Sequence, residues 1–180
     1  MLLCTIGISG SGKSLLCDKL EAYFGSSHFA NVEPDDLRRK MLGNVNDQSH
    51  GDLIFKAAGE AIKKGLDEGK VTFFNATNVN WPRLRKFIEE HATGIILYIF
   101  MLDSLVPSIC IERIKKDLHN GVDRSEVPED VVMKQFSKFQ EAYRLAKAEK
   151  DVNIFRYDGQ NLGKLVSTIE DLEEKATIYI

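Results

Sequence analysis

The sequence lacks the long apolar segments of membrane proteins and the cysteine pattern of disulfide-rich secreted domains. Its longest apolar run, GIILYIFML at residues 94–102, is about half of a membrane span, so it is interpreted as a buried strand. The opening MLLCTI is too short for the apolar region of a secretory leader. Cys4, Cys17 and Cys110 are far apart and lack metal-ligand spacing, which predicts buried free thiols in a reducing compartment. We therefore expect a cytoplasmic protein without a membrane partner.

A strong excess of positive charge is also missing. The 24 lysines and arginines and 27 aspartates and glutamates give a net charge of −3, so no global field attracts nucleic acid, and a polyanion would need a local basic patch. We find no repeat, low-complexity tract or linker. A chain of 180 residues with 43% hydrophobic composition suits one domain, residues 1–180.

Short apolar runs alternate with segments of helical periodicity along the whole chain. The predicted strands are Leu2–Ile6, Phe29–Val32, Val71–Asn75, Gly94–Leu102 and Val152–Tyr157. Helices are predicted over residues 13–23, 35–42, 50–68, 81–91, 105–118 and 128–149, and an acidic segment closes the chain. Apolar strands alternating with helices predict an α/β fold with a parallel sheet covered on both faces.

The stretch GISGSGKS, Gly7–Ser14, matches G-x-x-x-x-G-K-[ST] between a predicted strand and helix. Its glycines allow backbone N–H groups to surround phosphate oxygens, and the following helix adds its positive N-terminus. Lys13 would reach the β- and γ-phosphates, and the Ser14 hydroxyl would bind Mg²⁺. The expected ATP-binding residues are Gly7, Ser9, Gly10, Ser11, Gly12, Lys13, Ser14 and Leu15. The alternative is an ordinary glycine turn.

Acceptor residues are expected after the second strand, where the sequence reads NVEPDDLRRKML. On a helix starting near Pro34, Asp35, Arg38 and Arg39 fall on one face. Asp35 could accept a proton from an attacking hydroxyl, and Arg38 could clamp a phosphate. The alternative is a surface helix with Asp35–Arg39 and Asp36–Lys40 pairs.

The third strand does not end in the aspartate that many P-loop proteins use around Mg²⁺. Asn75 and Ala76 stand there, so the metal would depend on Ser14, water and Asp35. Thr77 and Asn78 are candidate acceptor-binding residues.

A second interpretation is open for Thr77, Asn78 and Asn80, which also fit a turn with a helix N-cap. Arg83, Arg85 and Lys86 fit either a patch for a polyanion or a solvated helix face.

A basic segment later in the chain predicts a lid over the triphosphate, at about residues 113–128. Arg113 and Lys116 lie on a helix that breaks at residues 119–121, and Arg124 follows in the loop. Arg113 and Arg124 would neutralise charge on the transferred phosphoryl group. The alternative is an exposed basic turn.

Together these motifs resemble the 5′-hydroxyl polynucleotide kinase family over residues 1–145. The likeness runs through GISGSGKS, DDLRR, NDQS, ATN and ER…DR…VP. It implies a five-stranded sheet ordered 2-3-1-4-5, a helical lid, ATP and Mg²⁺ as cofactors, and a DNA or RNA acceptor. It further implies that Asp35 is the general base, that Arg38 contacts an acceptor phosphate, and that Arg113 and Arg124 contact ATP. The sequence departs from the family at Asn75–Ala76 and in the longer lid.

Two other functions stay open. One is a kinase for a hydroxymethylated DNA base, a nucleoside or another small molecule. The other is a nucleotide-dependent switch without an acceptor, although the sequence contains neither the N-K-x-D nor the D-x-x-G motif of a GTPase.

Overall fold

The computed structural model describes residues 1–178, with side chains up to residue 175. Its five strands form one parallel sheet in the order β2-β3-β1-β4-β5, which confirms the predicted topology. The strands are β1 (Leu2–Ile6), β2 (Phe29–Val32), β3 (Val71–Phe74), β4 (Ile96–Met101) and β5 (Asn153–Tyr157). β1 lies at the centre, so the loop that follows it opens at the middle of the sheet's carboxyl edge.

Seven helices connect and flank the strands in the described chain. They are α1 (Lys13–Phe24), α2 (Pro34–Leu42), α3 (Gly51–Asp67), α4 (Trp81–His91), α5 (Pro107–His119), α6 (Glu129–Ala148) and α7 (Leu162–Ile178). A short 3-10 turn, Leu102–Leu105, separates β4 from α5 and ends the strand earlier than predicted. The helix predicted from residue 105 instead starts at Pro107, because proline is favoured in the first helical turn and lacks the N–H that an interior position needs.

The sheet separates two apolar cores, as the continuous burial of its strands predicts. One core contains Leu2, Cys4 and Ile6 of β1 together with residues of α3, α4, α5 and α6. The other contains Leu3 of β1 with residues of α1 and α7. Successive side chains of a strand point to opposite faces, so this division follows from the strand period of two. Helices therefore cover both faces, as expected.

The structure also bears on the expectations about the cysteines and about membrane-spanning segments. Cys4, Cys17 and Cys110 are free and buried. No helix in the described part of the chain combines the length and apolar character needed to cross a membrane.

Candidate functional site

A large cleft lies along the carboxyl edge of the sheet. Its volume is about 1520 Å³. It is lined by the glycine loop after β1, the start of α2, the segment after β3, the loop before α6 and the loop after β5. Open parallel sheets bind ligands at this edge. Sites for one small ligand usually measure about 300–1,000 Å³, so this cleft has room for two.

Glycine is required in the loop for two different reasons. Gly10 and Gly12 have φ angles of 81° and 89°, in the left-handed region that other residues rarely adopt. A Cβ atom at Gly10 would also collide with the carbonyl oxygen of Cys110 on α5. The loop therefore follows the conformation of a phosphate cradle and packs tightly against α5. Since α1 begins at Lys13, the N–H groups of its first turn have no carbonyl partner within the helix.

Lys13 lies at the N-terminus of α1 and extends over its own loop. Its Nζ donates hydrogen bonds to the carbonyl oxygens of Gly7 at 3.1 Å and Ile8 at 2.8 Å. Burial lowers the pKa of Lys13 to about 8, and nearby Glu33 and Asp35 partly oppose the shift. Ser11 Oγ is buried and has no hydrogen-bond partner among the described residues. A lysine next to an unpartnered donor in a curved backbone loop suits a polyphosphate.

Two side chains from other parts of the fold hold the loop in place. The backbone N–H of Ile8 donates to Ser104 Oγ at 3.1 Å. The N–H of Ser9 donates to Gln135 Oε1 on α6 at 2.8 Å. Gln135 could not be predicted from the sequence, because no local motif marks a glutamine that approaches the loop from 126 residues away.

Asp35 and Arg38 meet at the other end of the cleft, as predicted. Arg38 Nη1 donates to Asp35 Oδ1 at 2.6 Å, and the Arg38 side chain is only 10% exposed. Arg38 Nε is buried without a partner among the described residues. The Asp35–Arg39 and Asp36–Lys40 pairs of the alternative interpretation do not form, since each aspartate pairs with the arginine three residues later.

The second oxygen of Asp35 is covered by the lid. Ser125 Oγ donates to Asp35 Oδ2 at 2.7 Å, a contact that the sequence analysis did not foresee. The next residue, Glu126, donates its backbone N–H to Asn46 Oδ1 at 3.0 Å. The lid loop thus closes against the chain around α2 and places a hydroxyl group on Asp35.

The arginines of the lid lie along the cleft, whereas its lysines, Lys115 and Lys116, do not. Arg113 donates to Asp103 at 2.7 Å and to the carbonyl oxygen of Gly10 at 3.3 Å. Arg124 pairs with Asp117 at 2.6 Å. Both arginines line the cleft, whereas Lys116 is exposed and outside its lining. The lid is helical up to His119 and forms an irregular loop over residues 120–128.

The polar residues after β3 divide between the cleft and the scaffold. Thr77 lines the cleft, and its carbonyl oxygen accepts the N–H of Gly7 at 3.0 Å. Asn78 does not line it, because its amide donates to the carbonyl oxygen of Thr5 at 2.9 Å and its φ of 50° makes a tight turn. This contact corrects the prediction that Asn78 binds the acceptor. Asn80 accepts the N–H of Arg83 and caps α4, which confirms the alternative interpretation.

The basic residues of α4 do not form one patch. Arg85 donates to Tyr98 Oη at 2.8 Å and pairs with Glu149 at 3.3 Å. Arg83 lies over the Phe55 ring at 5.0 Å. Arg85 therefore links α4 to β4 and to the residue after α6, and the polyanion interpretation stays a prediction.

A divalent cation would depend on the loop serine rather than on a preformed cluster. No group of three histidine, cysteine, aspartate or glutamate residues within the described range could hold a metal. Ser14 Oγ accepts from Asn75 Nδ2 at 3.4 Å, and the same amide donates to Glu33 Oε2 at 3.0 Å. Burial, Asp36 and Asp35 raise the pKa of Glu33. Hydroxyl and carboxylate oxygens are ligands that Mg²⁺ accepts beside phosphate, so these residues fit it.

Comparison with known proteins agrees with this architecture. A family model described as an AAA domain matches residues 2–142. No curated protein matches the chain. A structure of the Pnkp1/Rnl/Hen1 RNA repair complex contains a chain with TM-score 0.67 and 20% identity, over 80% of this chain and 45% of that one. Chaetomium thermophilum Kti12 in complex with ADP-AlF3 aligns with TM-score 0.60 and 13% identity, over 96% of this chain and 98% of that one. This chain therefore spans less than half of the first chain, and at these identities the likeness concerns the fold.

Proposed function

This chain belongs to the AAA domain family, and on that premise we propose that it is an ATP-dependent kinase for a nucleic-acid hydroxyl. The acceptor is the 5′-hydroxyl end of DNA or RNA. The observation that carries the proposal is the pairing of Asp35 with a serine hydroxyl and with buried Arg38, in the same cleft as the phosphate loop.

At the donor end, defined as residues Gly7–Leu15, the loop binds the ATP phosphates. Lys13 and the backbone N–H groups meet the β- and γ-phosphates, and the lid residues Arg113 and Arg124 neutralise charge that develops during transfer. Ser14 would hold Mg²⁺, which supplies charge neutralisation between the phosphates when bound. The protein's own contribution is to fix the donor in line with the acceptor oxygen.

At the acceptor end, defined as Asp35, Arg38, Asn46 and Ser125, Asp35 removes the proton of the attacking hydroxyl. The Ser125 hydroxyl already donates to Asp35 at 2.7 Å, so an alcohol fits against this carboxylate. An incoming hydroxyl would replace Ser125 and would therefore require the lid loop to move. Arg38 orients the carboxylate from its other side.

A phosphate on the acceptor would offer a hydrogen-bond partner to the guanidinium group of Arg38. Arg38 Nε is a buried donor without a described partner, and arginine binds phosphate oxygens well. Thr77 lies on the same cleft and offers a further hydroxyl. The RNA repair complex among the similar structures, and the resemblance to polynucleotide kinases, favour a nucleic-acid strand as the source of that phosphate.

Transfer of labelled γ-phosphate to a panel of acceptors tests the proposal. A 5′-hydroxyl oligonucleotide should be labelled, and the same oligonucleotide with a 5′-phosphate should not. Label on a 5′-blocked strand with a hydroxymethylated base would instead identify a DNA-base kinase. Label on neither strand would leave nucleosides and other small molecules as acceptors.

Acceptor-independent hydrolysis would contradict the kinase proposal and favour a nucleotide-dependent switch. The hydrogen bond from Ser125 to Asp35 is compatible with that alternative. A lid that moves when nucleotide binds could act as a switch without any acceptor. Equal ATP turnover with and without oligonucleotide would be its signature.

A further inference from the structure

Three carboxylates lie at the start of α2, and among the described residues Glu33 is the one without an ion pair. Asp35 and Asp36 each form an ion pair with an arginine of α2. Glu33 instead accepts a hydrogen bond from the amide of Asn75 at 3.0 Å and lines the cleft. Lys13 partly opposes the rise in the pKa of Glu33, but the two residues form no ion pair.

Asn75 connects Glu33 to the serine of the phosphate loop. The same Nδ2 atom lies 3.0 Å from Glu33 Oε2 and 3.4 Å from Ser14 Oγ. The distance between Glu33 Oε2 and Ser14 Oγ is therefore at most the sum of these two distances. Mg²⁺ binds oxygen at about 2.0–2.1 Å, and a coordinating water reaches a further ~2.7 Å to an acceptor. A cation on Ser14 thus has water ligands within reach of Glu33.

We infer that Glu33 supplies the carboxylate of the magnesium site, through water, in place of the aspartate that β3 lacks. This inference rests on the proposed binding of ATP with Mg²⁺ at the donor end. Asn75 occupies the expected aspartate position but is neutral, and its amide orients Glu33 towards Ser14. The required negative charge comes from the end of β2 rather than from the end of β3.

Asp35, named with Ser14 and water as a candidate for the metal, is engaged elsewhere. Arg38 holds one of its carboxylate oxygens and Ser125 the other. Both contacts lie at the acceptor end. The roles of the two carboxylates are therefore divided, with Glu33 on the metal side and Asp35 on the acceptor side.

Binding of Mn²⁺, a stand-in for Mg²⁺ with the same oxygen ligands, tests this division. The dissociation constant for Mn²⁺ is measured by electron paramagnetic resonance on the protein saturated with ADP. Changes around metal sites typically weaken affinity about 10–100-fold, so Glu33→Gln should weaken Mn²⁺ binding by about tenfold or more. ADP affinity in EDTA, measured in parallel, separates loss of metal from loss of nucleotide.

A matched pair of variants controls for folding and for charge. Glu33→Gln combined with Asn75→Asp returns one carboxylate to the site and should restore much of the Mn²⁺ affinity. Asp35→Asn should leave that affinity within about twofold of the unmodified protein.

The outcomes separate this inference from the proposed function. Unchanged Mn²⁺ affinity in Glu33→Gln, or a loss in Asp35→Asn instead, would overturn the role of Glu33 while ATP binding stands. Failure of the unmodified protein to bind ADP would overturn both.

Discussion

The donor end of the cleft is one continuous loop, whereas the acceptor end consists of side chains from separate segments. The donor end uses backbone N–H groups within Gly7–Leu15, and a Cβ at Gly10 would collide with α5. The acceptor end brings together Asp35, Asn46 and Ser125, with up to 90 residues between them. The donor end is thus fixed by local conformation, while the acceptor end exists only when the lid loop lies against α2.

This difference implies that substitutions at the two ends of the cleft should impair different steps. Changes at the donor end should impair nucleotide binding together with transfer. Changes at the acceptor end should impair transfer or acceptor use while ADP affinity is retained.

The largest effect is expected from Asp35→Asn. The amide is nearly isosteric but cannot accept the proton, and general-base catalysis contributes about 10²–10⁴-fold, so transfer should fall by that amount. ADP affinity should stay within a few-fold. Single-turnover transfer and nucleotide titration measure the two quantities.

Asp36→Asn is the matched control for Asp35. Asp36 pairs with Arg39 and does not itself line the cleft, so its loss should be far milder. Equal damage from the two substitutions would count against Asp35 as the base.

Lys13→Ala should affect both binding and transfer at the donor end. Removal of one preorganised donor to a developing charge costs about 10²–10³-fold, or roughly 2.7–4 kcal/mol. The measurements are single-turnover transfer and ADP affinity. Near-normal turnover in this variant would be incompatible with the phosphate-loop assignment.

Arg38→Ala should have a smaller effect that depends on the acceptor. Loss of a hydrogen bond to a charged group costs about 1.5–3 kcal/mol, so the preference for a 5′-hydroxyl dinucleotide with a 3′-phosphate over a free nucleoside should fall accordingly. The ratio of kcat/KM for the two acceptors measures it. Arg144→Ala, which removes an exposed arginine of α6 outside the cleft lining, should leave that ratio unchanged.

The smallest effect is a pH dependence of ATP affinity at the donor end. The pKa of Lys13 is lowered to about 8, and phosphates that bind beside it should raise it again. Binding then takes up a proton above pH 8, so ATP affinity should weaken with rising pH, by at most about tenfold per unit. Below pH 8 this contribution should be flat. Calorimetry in buffers of different ionisation enthalpy measures the uptake, which Lys13→Arg should abolish.

The difference between a continuous donor loop and an acceptor end built from separate segments also explains which parts of the site the sequence predicted. The P-loop and the Asp35–Arg38 pair depend on residues that are close along the chain, and the alternation of apolar strands with helices predicted the sheet. Ser125 on Asp35 and Gln135 on the loop depend on how the lid and α6 fold back, which no local spacing encodes.

Asn78 was assigned to the wrong role for a similar reason. A polar residue at the carboxyl edge of the sheet can point into the cleft or support a turn, and its hydrogen bond to Thr5 decides the matter. The sequence alone offers both possibilities.

The claim that one cleft seats donor and acceptor together is tested most directly by titrating a 5′-hydroxyl dinucleotide with a 3′-phosphate into the protein. The titration is run with and without saturating Mg²⁺ and a non-hydrolysable ATP analogue. We predict one dinucleotide site that is retained with the analogue present, and weaker binding in Arg38→Ala. Displacement of the dinucleotide by the analogue, or equal binding in Arg38→Ala, would contradict the account.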